Sequence, residues 1–243
     1  MKTRRELLSL GAFAALGLAA APAPAASAQP KPSSSGYTPR WGMVIDLRRC
    51  IGCQACTVSC SMENAVPTNA HRTVVSTYEI PTDKGPGQAV LPRLCNHCEN
   101  PPCIPVCPVE ATYQQNDGAV VIDAEQCVGC GYCVQACPYD ARFINEETGI
   151  ADKCTFCVQR VGAGLLPACV ETCVGGARNF GDLKAENSHV ATMIREHKVD
   201  VLRPHMGTRP QVYYIGLDGR LQDRVEAESG SRQLREQNAH EEG

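Results

Sequence analysis

Sixteen cysteines in a chain of 243 residues set the narrowest limits on this fold. They fall into four groups of four, with none left over: Cys50-x2-Cys53-x2-Cys56-x3-Cys60, Cys95-x2-Cys98-x4-Cys103-x3-Cys107-Pro108, Cys127-x2-Cys130-x2-Cys133-x3-Cys137-Pro138, and Cys154-x2-Cys157-x11-Cys169-x3-Cys173. Cysteine outnumbers the 4 Phe, 7 Tyr and 1 Trp together, so an aromatic-rich core is not what holds the chain. The 21 Gly and 17 Pro predict turns and short elements and argue against a long helical bundle. At 43% hydrophobic and 20% charged residues the chain is globular. A net charge of -3 leaves no basic footprint for nucleic acid.

Spacing decides what the cysteines are for. The third group is the complete C-x2-C-x2-C-x3-C-P run of bacterial two-cluster ferredoxins. Three cysteines so spaced wrap one face of a 4Fe-4S cube, and the fourth, one helical turn later, projects toward a neighbouring cube. Four groups therefore predict four 4Fe-4S clusters. Structural zinc takes four ligands per ion, usually from two well-separated C-x2-C knuckles, and leaves the closely repeated triplets unexplained. A disulfide framework, the usual reading of an even cysteine count in an exported protein, has no use for this regular spacing.

An internal repeat shows that the groups are copies of one device. Val44-Ile45-Asp46-Leu47-Arg48-Arg49-Cys50-Ile51-Gly52-Cys53 aligns with Val121-Ile122-Asp123-Ala124-Glu125-Gln126-Cys127-Val128-Gly129-Cys130. In each copy a β-branched run predicts a short strand feeding the cysteine loop, and Gly52 or Gly129 lets the loop backbone come close to inorganic sulfur. Between groups two and three, Ala111 to Gln115, the turn Asn116-Asp117-Gly118, and Ala119 to Asp123 read as a hairpin.

Groups two and three share that connector and both end in Cys-Pro, so they form one two-cluster module and exchange their fourth cysteines. Groups one and four carry Ser61 and Val174 in place of the proline and, by elimination, form the second. The expected ligand sets are Cys50, Cys53, Cys56 and Cys173 (cluster 1), Cys60, Cys154, Cys157 and Cys169 (cluster 2), Cys95, Cys98, Cys103 and Cys137 (cluster 3), and Cys107, Cys127, Cys130 and Cys133 (cluster 4). The expected fold is α+β: two pseudo-symmetric ferredoxin-type modules, loop-rich, with short strands and short helices. They occupy residues 41–66 with 150–181, and residues 90–149, of a double domain over 41–181.

A cube held by four thiolates has no open site for substrate, so its ordinary use is one-electron transfer. Four in one chain make a relay, with no catalytic residue of its own. Each such cube carries a charge of roughly -2 when oxidised, and Arg48, Arg49, Arg93, Lys153 and Arg160 lie near ligands in sequence as candidates to offset it. His97 is placed either to hydrogen-bond a cluster sulfur or to pack beside it, and Tyr132 to pack. No Gly-rich nucleotide loop, nucleophile elbow or paired carboxylates accompany them.

The N-terminus reads as a signal peptide over 1–28: Lys2, Arg4 and Arg5, a soft apolar run from Leu7 to Ala21, then Ala26-Ser27-Ala28. Thr3-Arg4-Arg5-Glu6-Leu7-Leu8 resembles a twin-arginine signal, whose route exports folded proteins and so suits clusters assembled in the cytoplasm. The expected location is periplasmic, with no membrane span in the mature chain. Residues 29–40 read as a linker, 182–217 as a C-terminal extension and 218–243 as a flexible tail. The extension predicts a helix around Ser188 to Lys198 and strands at Val199 to Leu202 and Gln211 to Gly216.

Over Trp41 to Phe180 the order and spacing of all four groups resemble the iron-sulfur (beta) subunits of the molybdopterin oxidoreductase family, the dimethyl sulfoxide reductase type. Within that family, Asp46-Leu47-Arg48-Arg49-Cys50-Ile51-Gly52-Cys53-Gln54, Leu94-Cys95-Asn96-His97-Cys98, Cys137-Pro138-Tyr139-Asp140-Ala141-Arg142-Phe143-Ile144-Asn145 and Gly164-Leu165-Leu166-Pro167-Ala168-Cys169-Val170-Glu171 are similar to the tetrathionate reductase branch. The resemblance implies the same cluster sharing. It also implies two partners: a catalytic alpha subunit holding a molybdopterin cofactor, and a membrane quinone-linked gamma subunit. The net reaction it implies is tetrathionate reduction. The alternatives are the beta subunit of an arsenite oxidase, an arsenate reductase or another respiratory molybdoenzyme, and a free-standing polyferredoxin electron shuttle.

Overall fold

The computed structural model describes residues 36–225. The expected signal peptide over 1–28, most of the 29–40 linker and the tail beyond 225 lie outside the described residues. In chain order the elements are β1 (Trp41–Asp46), α1 (Ala55–Glu63), β2 (Thr73–Thr82), β3 (Gly85–Leu94), β4 (Thr112–Gln114), β5 (Val120–Ile122), α2 (Tyr132–Gln135), β6 (Arg142–Ile144), β7 (Ala151–Lys153), α3 (Val158–Gly162), α4 (Ala168–Glu171), β8 (Arg178–Asp182), α5 (His189–Glu196), β9 (Val199–Asp200) and β10 (Val212–Ile215).

The largest sheet is four-stranded, in the order β8-β1-β10-β9. β1 runs antiparallel to β8, with Ile45 opposite Arg178, and parallel to β10, with Val44 opposite Tyr213. Successive strand residues face opposite sides, and here the two sides have different work. Met43, Ile45, Val212 and Tyr214 point into the core that contains Cys56, Cys95, Cys98, Cys154 and Cys169. Val44 and Ile215 point the other way, onto Val190 and Met193 of α5. The Ser188 hydroxyl caps that helix by accepting from the Ala191 amide at 3.1 Å.

The C-terminal extension is thus part of the main sheet, because β10 lies between β1 and β9. The stretch from Asp218, expected as a flexible tail, begins as helix over 219–225. A carboxylate oxygen of Asp218 accepts from the Leu221 amide at 3.0 Å, and Leu221 and Val225 are buried in the main core. The apolar residues at i and i+4 outweigh the charged composition that argued for disorder.

Three two-stranded sheets complete the fold among the described residues. β4 with β5 is the expected hairpin, Gln114 pairing with Val120, and β6 pairs with β7. The third, β2 with β3, runs ten residue pairs from Thr73–Leu94 to Thr82–Gly85 and is additional to the elements expected from the sequence. Pro81, Pro86 and Pro92 disguise it; a two-stranded ribbon tolerates proline because each strand has a free edge. This ribbon covers the first cysteine loop, with Val75 and Pro92 against it.

Candidate metal centres

The cysteine loops are built from left-handed turns that lead into short helices. Gly52 and Gly129 stand at matching positions of groups one and three with φ of 70° and 68°, followed by Gln54 at 63° and Gly131 at 77°. At Gly129 the requirement is steric as well, since a Cβ would collide with the Gly149 carbonyl oxygen. Groups two and four use His97 and Phe156 as their left-handed residues. α1 then carries Cys56 and Cys60 one turn apart, α2 carries Cys133 and α4 carries Cys169.

Thiols from different groups meet. One cavity is lined by Cys50, Cys53, Cys56 and Cys173, together with Arg178, Val75 and Pro92. A second is lined by Cys95, Cys98, Cys103 and Cys137, with Arg142, Tyr139 and Val120. Cys60 interacts with Cys169 and Cys157, and Cys154 with Cys60 and Cys169. Of the remaining four, Cys127 and Cys133 share a smaller core cluster with Val120 and Ala151, and the Ala151 amide donates to the Cys127 sulfur at 3.5 Å. All sixteen are free thiols. Among the described residues no three His, Cys, Asp or Glu side chains converge as ligands of a single ion; eight of the thiols instead ring two cavities, four to each, as a cube held by four thiolates requires.

The electrostatics fit the same group. Burial pushes the Cys60 and Cys98 thiols up to about 12, and Cys137 up to about 11. Burial thus favours the protonated thiol at these positions, and iron binding works against it, because a ligand cysteine gives up its proton to the metal. Cys107 behaves differently: burial raises it, but the backbone amides of Thr112, Val109 and Ala111 outweigh burial and hold it below the usual range.

The sequence-nominated cations separate into two kinds. Arg48 pairs with the buried Asp46 at 2.8 Å, and Arg160 with Glu63 at 2.9 Å and with Glu171; both arginines are taken up by carboxylates rather than by thiols. Arg93 reaches the Ser76 hydroxyl at 3.3 Å, and Arg49 lines the first cavity. Lys153 is fully buried and donates to the Val120 carbonyl and, at 2.8 Å, to that of Cys154. Sequence reasoning missed Arg142 and Arg178, both buried and both lining a cysteine cavity. Their signal was present: each follows an alanine and stands five residues after a fourth cysteine, in Cys137-x3-Ala141-Arg142 and Cys173-x3-Ala177-Arg178.

His97 packs. Its ring stacks on Phe156 with centroids 3.6 Å apart, and its Nδ1 accepts from the Val120 amide at 3.0 Å. Burial, with Lys153 and Arg142 nearby, holds its pKa well below the usual imidazole range. Phe156 meets Phe180 edge-on, and Phe180 stacks on Trp41. Because His97 lies between Cys95 and Cys98 and Phe156 between Cys154 and Cys157, this column joins the loops of groups two and four. Tyr132 is half-exposed at the start of α2.

Residues 87–183 match the 4Fe-4S dicluster domain family, and residues 41–62 a 4Fe-4S binding domain family. The chain is similar to the B subunit of tetrathionate reductase from Salmonella typhimurium, 62% identical over 183 residues that cover 74% of this chain and 73% of that one. It is 42% identical to the iron-sulfur B subunit of a putative dimethyl sulfoxide reductase from Halobacterium salinarum, covering 72% and 78%. Against the B component of polysulfide reductase from Wolinella succinogenes the identity is 36%, covering 72% and 94%. The cofactors are 4Fe-4S clusters, and the domains that hold them are ferredoxin-like.

Proposed function

The protein belongs to the family of iron-sulfur subunits of molybdopterin oxidoreductases, and from that membership we propose that it is the non-catalytic electron-transfer subunit of a respiratory molybdoenzyme, linking a quinone-reactive membrane subunit to a molybdopterin catalytic subunit. The favoured net reaction of the complex is tetrathionate reduction, on the strength of the 62% identity to a tetrathionate reductase iron-sulfur component.

The observation that carries the electron-transfer reading is the mixing of groups at the cavities: Cys173 with Cys50, Cys53 and Cys56, and Cys137 with Cys95, Cys98 and Cys103. With the neighbourhood of Cys60, Cys157 and Cys169, it supports four ligand sets: Cys50, Cys53, Cys56 and Cys173; Cys60, Cys154, Cys157 and Cys169; Cys95, Cys98, Cys103 and Cys137; and Cys107, Cys127, Cys130 and Cys133. The last follows from the exchange rule alone. When bound, each cluster supplies one-electron chemistry and, with four thiolates on it, no open coordination position. The matched left-handed turns at Gly52 and Gly129 and at His97 and Phe156 support reading residues 41–66 with 150–181, and residues 90–149, as two related modules.

The chain's residues do three things in this scheme. The cysteines hold the cofactors, the aromatic column from His97 to Trp41 keeps the loops of groups two and four in contact, and the covered core excludes water from the inner sites. The protein is exported folded, by the twin-arginine motif at Arg4-Arg5, to the periplasm. Among the described residues no helix is long and apolar enough to cross a membrane, and attachment to the membrane comes through the partner.

The test is anaerobic purification from a strain expressing the chain together with its encoded neighbours. The expected result is roughly 16 iron and 16 acid-labile sulfide per chain, four 4Fe-4S cubes each contributing four, in a stable complex with a molybdopterin-containing chain. A loaded monomer that reduces several acceptors and retains no large partner would instead make it a free polyferredoxin.

A further inference from the structure

Two buried arginines have no carboxylate counter-ion among the described residues. Arg142 and Arg178 are 5% and 3% exposed, and neither takes part in an ion pair there. An unpaired guanidinium in a protein interior is strongly unfavourable, so each site implies an anion bound close by.

The contacts name it. Arg142 donates through Nη2 to the sulfur of Cys103 at 3.0 Å and through Nη1 to the Thr112 hydroxyl at 3.3 Å, and it also reaches Cys133. Arg178 donates through Nη2 to the Thr73 hydroxyl at 2.7 Å and interacts with Cys169 and Cys56, while its Nη1 is buried without a protein partner. The two arrangements correspond. Each arginine is anchored on the first residue of a hairpin strand, Thr112 of β4 or Thr73 of β2. Each lies within reach of the third cysteines of two groups: Cys103 and Cys133 belong to groups two and three, and Cys56, which shares a cavity with Arg178, and Cys169 to groups one and four.

We propose that Arg142 and Arg178 are inter-cluster cations, one per module, each guanidinium lying between two cubes and raising the reduction potentials of both together. This rests on the cysteine sets proposed above. The physical basis is that reduction adds a negative charge to a group already carrying about -2, so a fixed cation at the shared boundary favours the reduced form of both neighbours. Arginine suits the position because its planar fork addresses two acceptors at once and stays charged when buried. Each module is then tuned as a unit, and the relay has two independently set halves. Neither arginine touches a substrate; both act as positioning and tuning residues.

The experiment is an EPR-monitored redox titration of the anaerobically purified complex, wild type against Arg142→Gln and Arg178→Gln, with iron and sulfide measured on every sample. In each variant two of the four reduction equilibria are expected to shift at least tenfold toward the oxidised form, about 59 mV for a one-electron couple, and the pair that moves in one variant is the pair that stays in the other. A loaded variant with all four potentials unmoved, with one moved, or with the same pair moved by both substitutions overturns the proposal. If Arg142→Gln does not take up full iron, Arg142→Lys decides: its ammonium keeps the charge but addresses one sulfur, so the two potentials of that pair are expected to separate. Four unchanged potentials in loaded Arg142→Lys, or failure of both variants to load, reduces the arginine to a folding role and overturns the bridge. A wild-type complex with fewer than four reducible clusters would refute the cysteine sets themselves, which separates that failure from this one.

Discussion

The inner and outer cysteines of this molecule live in different surroundings. Cys60, Cys154, Cys157 and Cys169 are all buried, as are Cys95, Cys98 and Cys103, with Cys137 partly so; of the other eight, Cys56 and Cys133 are buried, Cys53 and Cys130 are exposed, and Cys50, Cys107, Cys127 and Cys173 are partly exposed. Of the inner thiols, Cys95, Cys98, Cys154 and Cys169 pack with Met43, Ile45, Leu91 and Tyr214 in the main core. The outer loops instead place apolar side chains at the surface: Ile51 and Val174 beside one, Val128 and Tyr132 beside the other. A buried site joins fold and function, because removing its cofactor leaves a void lined with thiols. An exposed site gives electrons a way in or out and contributes little to the core.

The hardest test of this difference is removal of the iron. Chelation under denaturant-free conditions is expected to abolish the cooperative thermal transition and the near-UV circular dichroism, since the middle of the core is organised around the thiols. Apo-protein that kept a sharp transition would mean that the cysteines matter less to the core than their burial implies.

Single ligands sharpen the comparison. Cys154→Ala is expected to leave little soluble folded protein and to lose iron from more than one site. Cys130→Ala is expected to lose about one cube, roughly four iron, and to keep most of the wild-type melting temperature. Iron analysis with differential scanning calorimetry ranks them, and the reverse order would break the distinction.

Phe156→Ala removes no ligand, yet it empties the contact with His97 between the inner loops. The expected cost is about 3–5 kcal/mol, read as a large fall in melting temperature with near-normal iron in freshly prepared protein. Least affected in stability is Val128→Glu at an outer loop, where the side chain is 64% exposed. Its expected effect on folding is within about 0.5 kcal/mol, while co-purification of the partner chain falls if this surface is a docking face.

Local rules made much of this legible. The hairpin at Ala111 to Asp123, the helix near Ser188 and the strands at Val199 and Gln211 follow from turn residues, a cap and β-branched runs, all of which act within a few residues. The presence of 4Fe-4S cofactors followed from cysteine spacing alone, because the geometry of a cube is imposed on a short loop. The β2–β3 ribbon was missed because three prolines obscure a pattern that only a free-edged pair of strands accepts. The helix at 219–225 was missed because its charged composition outweighed the two apolar residues that bury it.

Sequence by itself determined the cofactor type, the grouping of sixteen cysteines into four local motifs, and the family. Those are properties of short segments, where one residue's spacing from the next sets the chemistry. Tertiary structure decided that β10 enters the sheet beside β1, and that Arg142 and Arg178 rather than Arg48 and Arg160 sit against thiols. A cation's partner depends on what the fold brings to it: Arg48 and Arg160 find carboxylates, while Arg142 and Arg178 are carried inward at the first residue of strands β6 and β8. The shared spacing Cys-x3-Ala-Arg marks the two positions in the sequence, but which arginines are buried against thiols is a property of the assembled fold.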